Sequence, residues 1–274
     1  MRTISRQVPV PGSPTSFDEQ AAEFDLRVGL PEEDCRRIAA AVLRMARVRP
    51  GDRMIEIGAG TGMIGRWFLN HPVSYVGLDL SREMLEVFRH RPGIVRAGLV
   101  QADGARPWPL PDGSVELVFS SRTIHLLPVE HAMDELFRVA SADGAACVLG
   151  WVEHRPESVK ARLSKEMQRR VRERGFAVRS AGGRSFLDAC RERGAEELPK
   201  TVVARWSARH APRQSIANWR AKTGLGGTVL PPGVQDELLR ELEAWAVETF
   251  GDLDAARESE EAYVLEGVAL QGMT

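Results

Sequence analysis

The chain is short of the features that mark disulfide-stapled, membrane-spanning or nucleic-acid-coating proteins. Its three cysteines, Cys35, Cys147 and Cys190, lie far apart and form no CxxC pair. An odd, scattered set excludes a disulfide framework and a metal knuckle, so they read as reduced, buried thiols. No stretch approaches the roughly 18 apolar residues of a membrane span, so no membrane partner is expected. The opening "MRTISRQVPVPGSPTSFD" lacks the apolar core of a secretory signal and reads as a loose arm on a cytoplasmic protein. Charge of either sign is not in excess: 37 Lys and Arg face 38 Asp and Glu, for a net charge of −1. With no global field, nucleic acid is not an expected partner. No histidine and carboxylate spacing indicates a metal site, and none is expected.

What is present is ordinary globular composition, 43% hydrophobic over 274 residues, enough for one elaborated domain. "RMIEI" (53–57) is a short apolar run cut off by glycine, and "MIGRWFLN" after it reads as a helix. "SYVGLDL" (74–80) has strand content and leads into the helical "SREMLEVFRHR", for which Ser81 is the expected N-cap. "VRAGLVQAD" and "SVELVFSS" are the next strands, "VEHAMDELFRVA" the next helix and "GAACVLGWV" a fully buried strand. Strands alternating with helices at this spacing predict a parallel sheet covered on both faces, with ligands at the strand C-termini. Beyond residue 152 the alternation is less even. A long basic helix, "PESVKARLSKEMQRRVRERGF", and a shorter one, "GRSFLDACRERG", precede a strand at 200–210. Helices in "QSIANWRAKTG" and "PPGVQDELLRELEAWAVETFG" come before a last strand at 262–270. The basic helix reads as a solvated face, against a minority view of a wall that attracts an anionic substrate.

The segment "GAGTGMIG" (58–65) carries four glycines in eight positions after the first strand. Such a turn brings a ligand close to the backbone and to free helix N–H groups. Gly60 to Gly65 also satisfies GxGxxG, so a nicotinamide dinucleotide must be weighed. Three acids favour another nucleoside. Glu56 stands just before the loop, where it would receive an ammonium and repel a pyrophosphate. Asp79 ends the second strand, where it would accept from ribose hydroxyls, and Asp103 ends the third, where it would accept from an adenine amino group. An amino-acid tail, a ribose and an adenine at successive strand ends describe S-adenosyl-L-methionine (SAM).

"EIGAGTG", "GLDLSREML", "QADGARPWPLPDGSVELVFSS" and "FRVASADGA" together resemble the motif series of class I SAM-dependent methyltransferases, nearest to the ubiquinone/menaquinone-biosynthesis-type branch that acts on small molecules. The likeness covers about residues 15–150. It implies an α/β, Rossmann-like sheet of order 3-2-1-4-5-7-6 with the last strand antiparallel, helices on both faces and a helical cap. By the same resemblance, Glu56, Gly58, Ala59, Gly60 and Gly62 form the methionine-side loop, and Asp79 holds ribose. Leu80 and Met84 flank adenine, Ala102, Asp103 and Gly104 meet its edge, and Ser120 borders the cofactor. "FDEQAAEFD" is similar to the family's N-terminal helix, so Phe17 and Phe24 would cover the cofactor, with Arg27 a weaker candidate for its carboxylate. One departure is that the family's basic-Pro-Gly-Gly turn before strand five is "SADGA" here; Asp143-Gly144 supplies a turn of its own.

The expected organisation is an N-terminal arm and cap helix (1–30), a SAM-binding core (31–152) and a C-terminal part (153–274) with substrate-cap insertions near 153–183 and 211–252. Trp206, Trp219 and Trp245 are candidates for an apolar cap lining, although each taken singly reads more readily as core. Methyl transfer from a sulfonium is an in-line displacement that needs positioning and exclusion of water. A hydroxyl acceptor also needs a base. His125, in "SSRTIHLLP" after the fourth strand, is the candidate, with His131 and His154 in reserve. The reading is a SAM-dependent methyltransferase acting on O, N or C of a small, partly apolar metabolite, with S-adenosyl-L-homocysteine (SAH) as product. An NAD(P)-dependent oxidoreductase and a SAM-retaining protein that transfers no methyl are the alternatives.

Overall fold

The computed structural model describes residues 25, 29–94, 97–178, 182–221, 224–225, 228–231 and 233–270. Seven strands, β1 (Arg53–Ile57), β2 (Ser74–Asp79), β3 (Gly98–Gln101), β4 (Leu117–Ser121), β5 (Ala145–His154), β6 (Glu196–His210) and β7 (Arg257–Leu270), form one sheet of order β3-β2-β1-β4-β5-β7-β6. The first five are parallel, and β7 runs antiparallel to both β5 and β6. This is the topology expected from the sequence. β3 is shorter than the run that announced it, whereas β6 and β7 are longer, because their paired ends extend past β4.

Eight helices accompany the sheet among the described residues: α1 (Glu32–Met45), α2 (Gly65–Phe68), α3 (Arg82–Arg89), α4 (Val129–Val139), α5 (Val159–Glu173), α6 (Gly182–Glu192), α7 (Pro212–Arg220) and α8 (Val234–Phe250). Alternation along each strand divides the core by face. Met54, Phe119, Val148 and Tyr263 pack with Ile38 and Val42 of α1 and with Phe88 of α3. Ile55, Val118, Cys147 and Val268 face Leu136 of α4 and Phe186 of α6. A third cluster stands apart, built from Leu163 and Met167 of α5, Ile216 of α7 and Leu239 and Leu242 of α8.

Trp219 and Trp245 pack against that third cluster, and Trp206 packs against the α1 face. The basic face of α5 is largely matched with acids: Arg170 and Arg174 both bind Glu241 of α8, at 3.0 and 2.5 Å. Ser81 caps α3 as expected, its hydroxyl accepting from Met84 N–H at 3.1 Å. The "SADGA" turn closes with Gly144 N–H donating to Ser141 at 3.1 Å. All three cysteines are buried, and burial pushes the Cys35 thiol up to about 12. No described helix is long and apolar enough to cross a membrane, and no described group of His, Cys, Asp and Glu forms a metal cluster.

Candidate active site at the strand C-termini

The loop leaving β1 folds back on β2. Gly58 and Ala59 N–H groups donate to the Leu78 carbonyl at 2.8 and 3.0 Å. Gly58, Gly60 and Gly62 hold φ values of 77, 53 and 71°, the left-handed region that favours glycine. Two also lack room: a Cβ would overlap the Thr123 side chain at Gly58 and the Phe88 ring at Gly62. The "MIGRWFLN" helix shrinks to the four residues of α2, because preceding residues are used by the turn.

Asp79 joins the loop to the next strand end. Its Oδ2 accepts from Gly60 N–H at 2.8 Å and its Oδ1 from Ser81 N–H at 2.9 Å. Each carboxylate oxygen has two acceptor positions, and these backbone bonds take one of each. Ala102 N–H donates to the Asp79 carbonyl at 3.0 Å, drawing the third strand end to the second. Asp103 turns the chain, its Oδ1 accepting from Ala105 N–H at 2.9 Å. Gly104 is buried beside Leu127, and its carbonyl accepts from Trp108 Nε1 at 3.0 Å. Leu80 is half-buried, while Met84 is buried on the inner face of α3.

Two expected side chains are directed inward. Glu56 is 2% exposed and accepts from the Tyr75 hydroxyl at 2.5 Å, on the α1 face of the sheet. Burial pushes its carboxyl up to about 8, against the opposing hydrogen bond from Tyr75 and with help from the nearby Asp79. Ser120 is buried and donates to the Ile57 carbonyl at 2.9 Å, so its hydroxyl ties β4 to β1. His125 lies, half-buried, on a 3-10 turn (Ile124–Leu126) after β4. His131 hydrogen-bonds the Arg106 carbonyl at 2.9 Å on the outer side of α4. Phe17, Phe24 and Arg27 lie outside the described residues.

Sequence reading missed several residues here. Thr61 donates its hydroxyl to Asp25 at 2.5 Å, and Arg91, beyond α3, bonds the Thr61 carbonyl and pairs with Asp25. Arg122 adopts a φ of 59° between β4 and Thr123, and its N–H donates to the Gly150 carbonyl at 3.1 Å. Burial lowers its guanidinium below the usual range. A positive φ at arginine has no sequence signal, whereas Tyr75 was visible as a lone polar aromatic on the strand beside Glu56.

The glycine turn and the strand-end acids gather at one edge of a Rossmann-like sheet of order 3-2-1-4-5-7-6. Residues 55–148 match the family described as the methyltransferase domain. Those residues form a methyltransferase domain within the sheet order of the class I SAM-dependent fold, which favours that reading of the glycine turn over the nicotinamide one. Among relatives, it is 36% identical over 136 residues to malonyl-[acyl-carrier protein] O-methyltransferase of Halorhodospira halophila, covering 47% of this chain and 44% of that one. The enzyme of the same name from Serratia marcescens is 29% identical over 133 residues, covering 47% and 49%. The chain thus spans about half the length of these curated relatives. The solved YcgJ protein of Bacillus subtilis shares the fold, with a TM-score of 0.51 and 19% identity over 84% of this chain and 97% of that one. These matches do not single out the ubiquinone/menaquinone branch.

Proposed function

We propose that the protein transfers the methyl group of SAM to oxygen, nitrogen or carbon of a small, partly apolar metabolite. The observation that carries this is the Asp79 carboxylate, fixed by the Gly60 and Ser81 N–H groups within a methyltransferase domain. In this reading Asp79 receives the ribose hydroxyls, Gly58 to Gly62 lie under the methionine portion, and Leu80, Met84, Ala102, Asp103 and Gly104 border the adenine. Glu56 acts from beneath the loop on the ammonium, and Ser120 holds β4 in place. Phe24 belongs to the proposed N-terminal cover of residues 1–30.

SAM supplies an electrophilic methyl on sulfur; the chain supplies positioning and a water-poor cleft. His125, on the turn after β4, is the proposed proton acceptor for a hydroxyl acceptor. Residues 153–183 and 211–252 are the proposed acceptor cap, and the third apolar cluster, which includes α5, α7 and α8, supports that division. The two O-methyltransferase relatives act on malonyl-[acyl-carrier protein], which makes an acyl acceptor one case to try.

The deciding experiment pairs calorimetry with SAH, SAM and NAD(P) against mass analysis of acceptors incubated with SAM. Binding of SAH and SAM together with a product heavier by one methyl supports the reading. SAH binding with no transfer to any acceptor of a broad metabolite panel would favour a SAM-retaining protein. Binding of NAD(P) alone would overturn the cofactor assignment.

A further inference from the structure

The ends of β5, β6 and β7 carry a second polar centre, outside the glycine loop. Glu261 of β7 is 3% exposed, yet three nitrogens from three other elements converge on its Oε1. His210 Nε2, at the end of β6, lies at 2.6 Å, Lys160 Nζ of α5 at 3.2 Å and His154 Nδ1, at the end of β5, at 3.1 Å. An oxygen with two lone pairs cannot satisfy three donors well. His154 Nδ1 shows the shortfall: it is buried and in ion-pair contact, but off the line of a good hydrogen bond. Against the burial that would raise it, the two histidines and the Lys160 charge hold Glu261 ionised, well below the usual carboxylate range.

The centre is therefore rich in donors and poor in acceptors. One carboxylate faces one ammonium and two imidazoles, so each proton taken by an imidazole leaves a net positive charge. The surrounding ions do not alter this. Arg155 and Arg205 share Glu260, while Glu153 and Glu266 share Lys200, and the two sets offset each other. His154, His210 and Lys160 keep 29, 21 and 31% of their side chains exposed, so a ligand can reach them although the carboxylate is closed off.

Its position fits an acceptor site. Ser121, the last residue of β4, pairs with Gly150 of β5, and His154 stands four residues further along the same strand. At about 3.3 Å per residue, that places it about 13 Å beyond the end of β4. β5 and β6 both run toward the ligand edge, so both histidines rise above it, where the chain turns into α5 and α7 of the cap.

We propose that His154, His210 and Lys160, organised around Glu261, form an oxyanion subsite that grips an anionic group of the methyl acceptor, with a proton taken up onto one imidazole as the anion binds. The inference rests on the methyltransferase reading and narrows its acceptor to an acid. In proton balance, the anion enters with its charge and one imidazole nitrogen forms an N–H bond with a proton given up by a buffer acid, while no bond of the anion is made or broken. Glu261 is a positioning residue: it holds the donors and does not touch the ligand.

The test uses the full chain loaded with SAH, with octanoate as probe and octanamide as its uncharged counterpart. Calorimetry in buffers of different ionisation enthalpy should show proton uptake with octanoate and none with octanamide. His154→Gln and Lys160→Met should weaken octanoate about tenfold or more, the scale of a lost bond to a charged group, and leave octanamide unchanged. The wild-type proton linkage requires no variant to fold. Equal binding of the two probes, octanoate binding without proton uptake, no octanoate binding, or variants that bind octanoate normally would each overturn the subsite. SAH titration of the same samples separates the two levels: loss of SAH binding in the wild type sinks the methyltransferase reading, whereas intact SAH binding with a failed probe sinks only the subsite.

Discussion

Asp79 anchors the loop through Gly60, and in the proposed function the same carboxylate receives the ribose hydroxyls. Asp79→Ala should weaken SAH binding by about 1.5–3 kcal/mol, the scale of hydrogen bonds to a charged group, and Asp103→Ala by less. Unchanged calorimetric titrations for both would remove the strand-end acids from the cofactor site. Glu56 gives a pH signature. Its carboxyl is pushed from 4.5 up to about 8 in the folded chain, so between those values the folded state keeps a proton that the unfolded chain has lost. Folding stability from this group therefore declines as pH rises through that window and levels off above it. Urea midpoints should fall less steeply with pH in Glu56→Gln than in the wild type. If Glu56 also serves the ligand's ammonium, SAH binding expels the proton and tightens toward pH 8, whereas 5′-methylthioadenosine, lacking the amino-acid tail, shows no such slope. His125→Ala should leave SAH affinity intact while lowering turnover of a hydroxyl acceptor about 10²–10⁴-fold, as expected for loss of a general base. Wild-type turnover in that variant would make His125 structural.

At the scale of elements, α5 and α8 are joined by two unequal kinds of contact. Leu163, Met167, Leu239 and Leu242 close an apolar seam, while Arg170 and Arg174 meet Glu241 at its edge. The Glu241 side chain is 38% exposed, and water screens such pairs, so Glu241→Gln should cost about 1 kcal/mol or less. Leu242→Ala leaves a cavity in the seam and should cost about 2–5 kcal/mol in denaturant unfolding. Because the glycine loop belongs to the sheet and not to this seam, the Leu242 variant should still bind SAH normally under folding conditions. A parallel loss of SAH affinity would show that the proposed cap and the cofactor site are one cooperative unit.

Across the whole molecule, buried polar contacts connect the cofactor half of the sheet to the later strands. Tyr263 of β7 hydrogen-bonds Ser121 of β4 at 2.6 Å, and its ring fills the space above Gly150 of the intervening strand. Tyr263→Phe keeps the ring but leaves Ser121 without that partner, which should lower stability by about 1–2 kcal/mol. Ligand linkage offers a complementary measurement. SAH at about 100 times its dissociation constant should stabilise the fold by about 2.7 kcal/mol, seen as a rise in melting temperature that NAD does not reproduce. An equal rise with both ligands would contradict the preference for an ammonium over a pyrophosphate assigned to Glu56.

The sequence by itself determined the alternation of strands and helices, through apolar periodicity and turn residues, and its motif resemblance implied the strand order. It also placed the glycine turn and the three acids at or beside the ends of β1, β2 and β3, because position along a strand is specified locally. Side-chain direction was another matter. Glu56 and Ser120 stand at the expected strand ends, yet their polar atoms are satisfied by Tyr75 and the Ile57 carbonyl, partners that only strand register supplies. The tryptophans, readable from sequence as core or as cap lining, stand partly buried against two of the apolar clusters, since burial depends on which helices meet. Lys160 read as one member of a basic stripe and His154 as a reserve base, while His210 and Glu261 drew no attention. Their meeting at one oxygen, across 101 residues between Lys160 and Glu261, was decided by tertiary structure, because the long antiparallel pairing of β7 with β5 and β6 is what brings four distant polar groups to a single buried point.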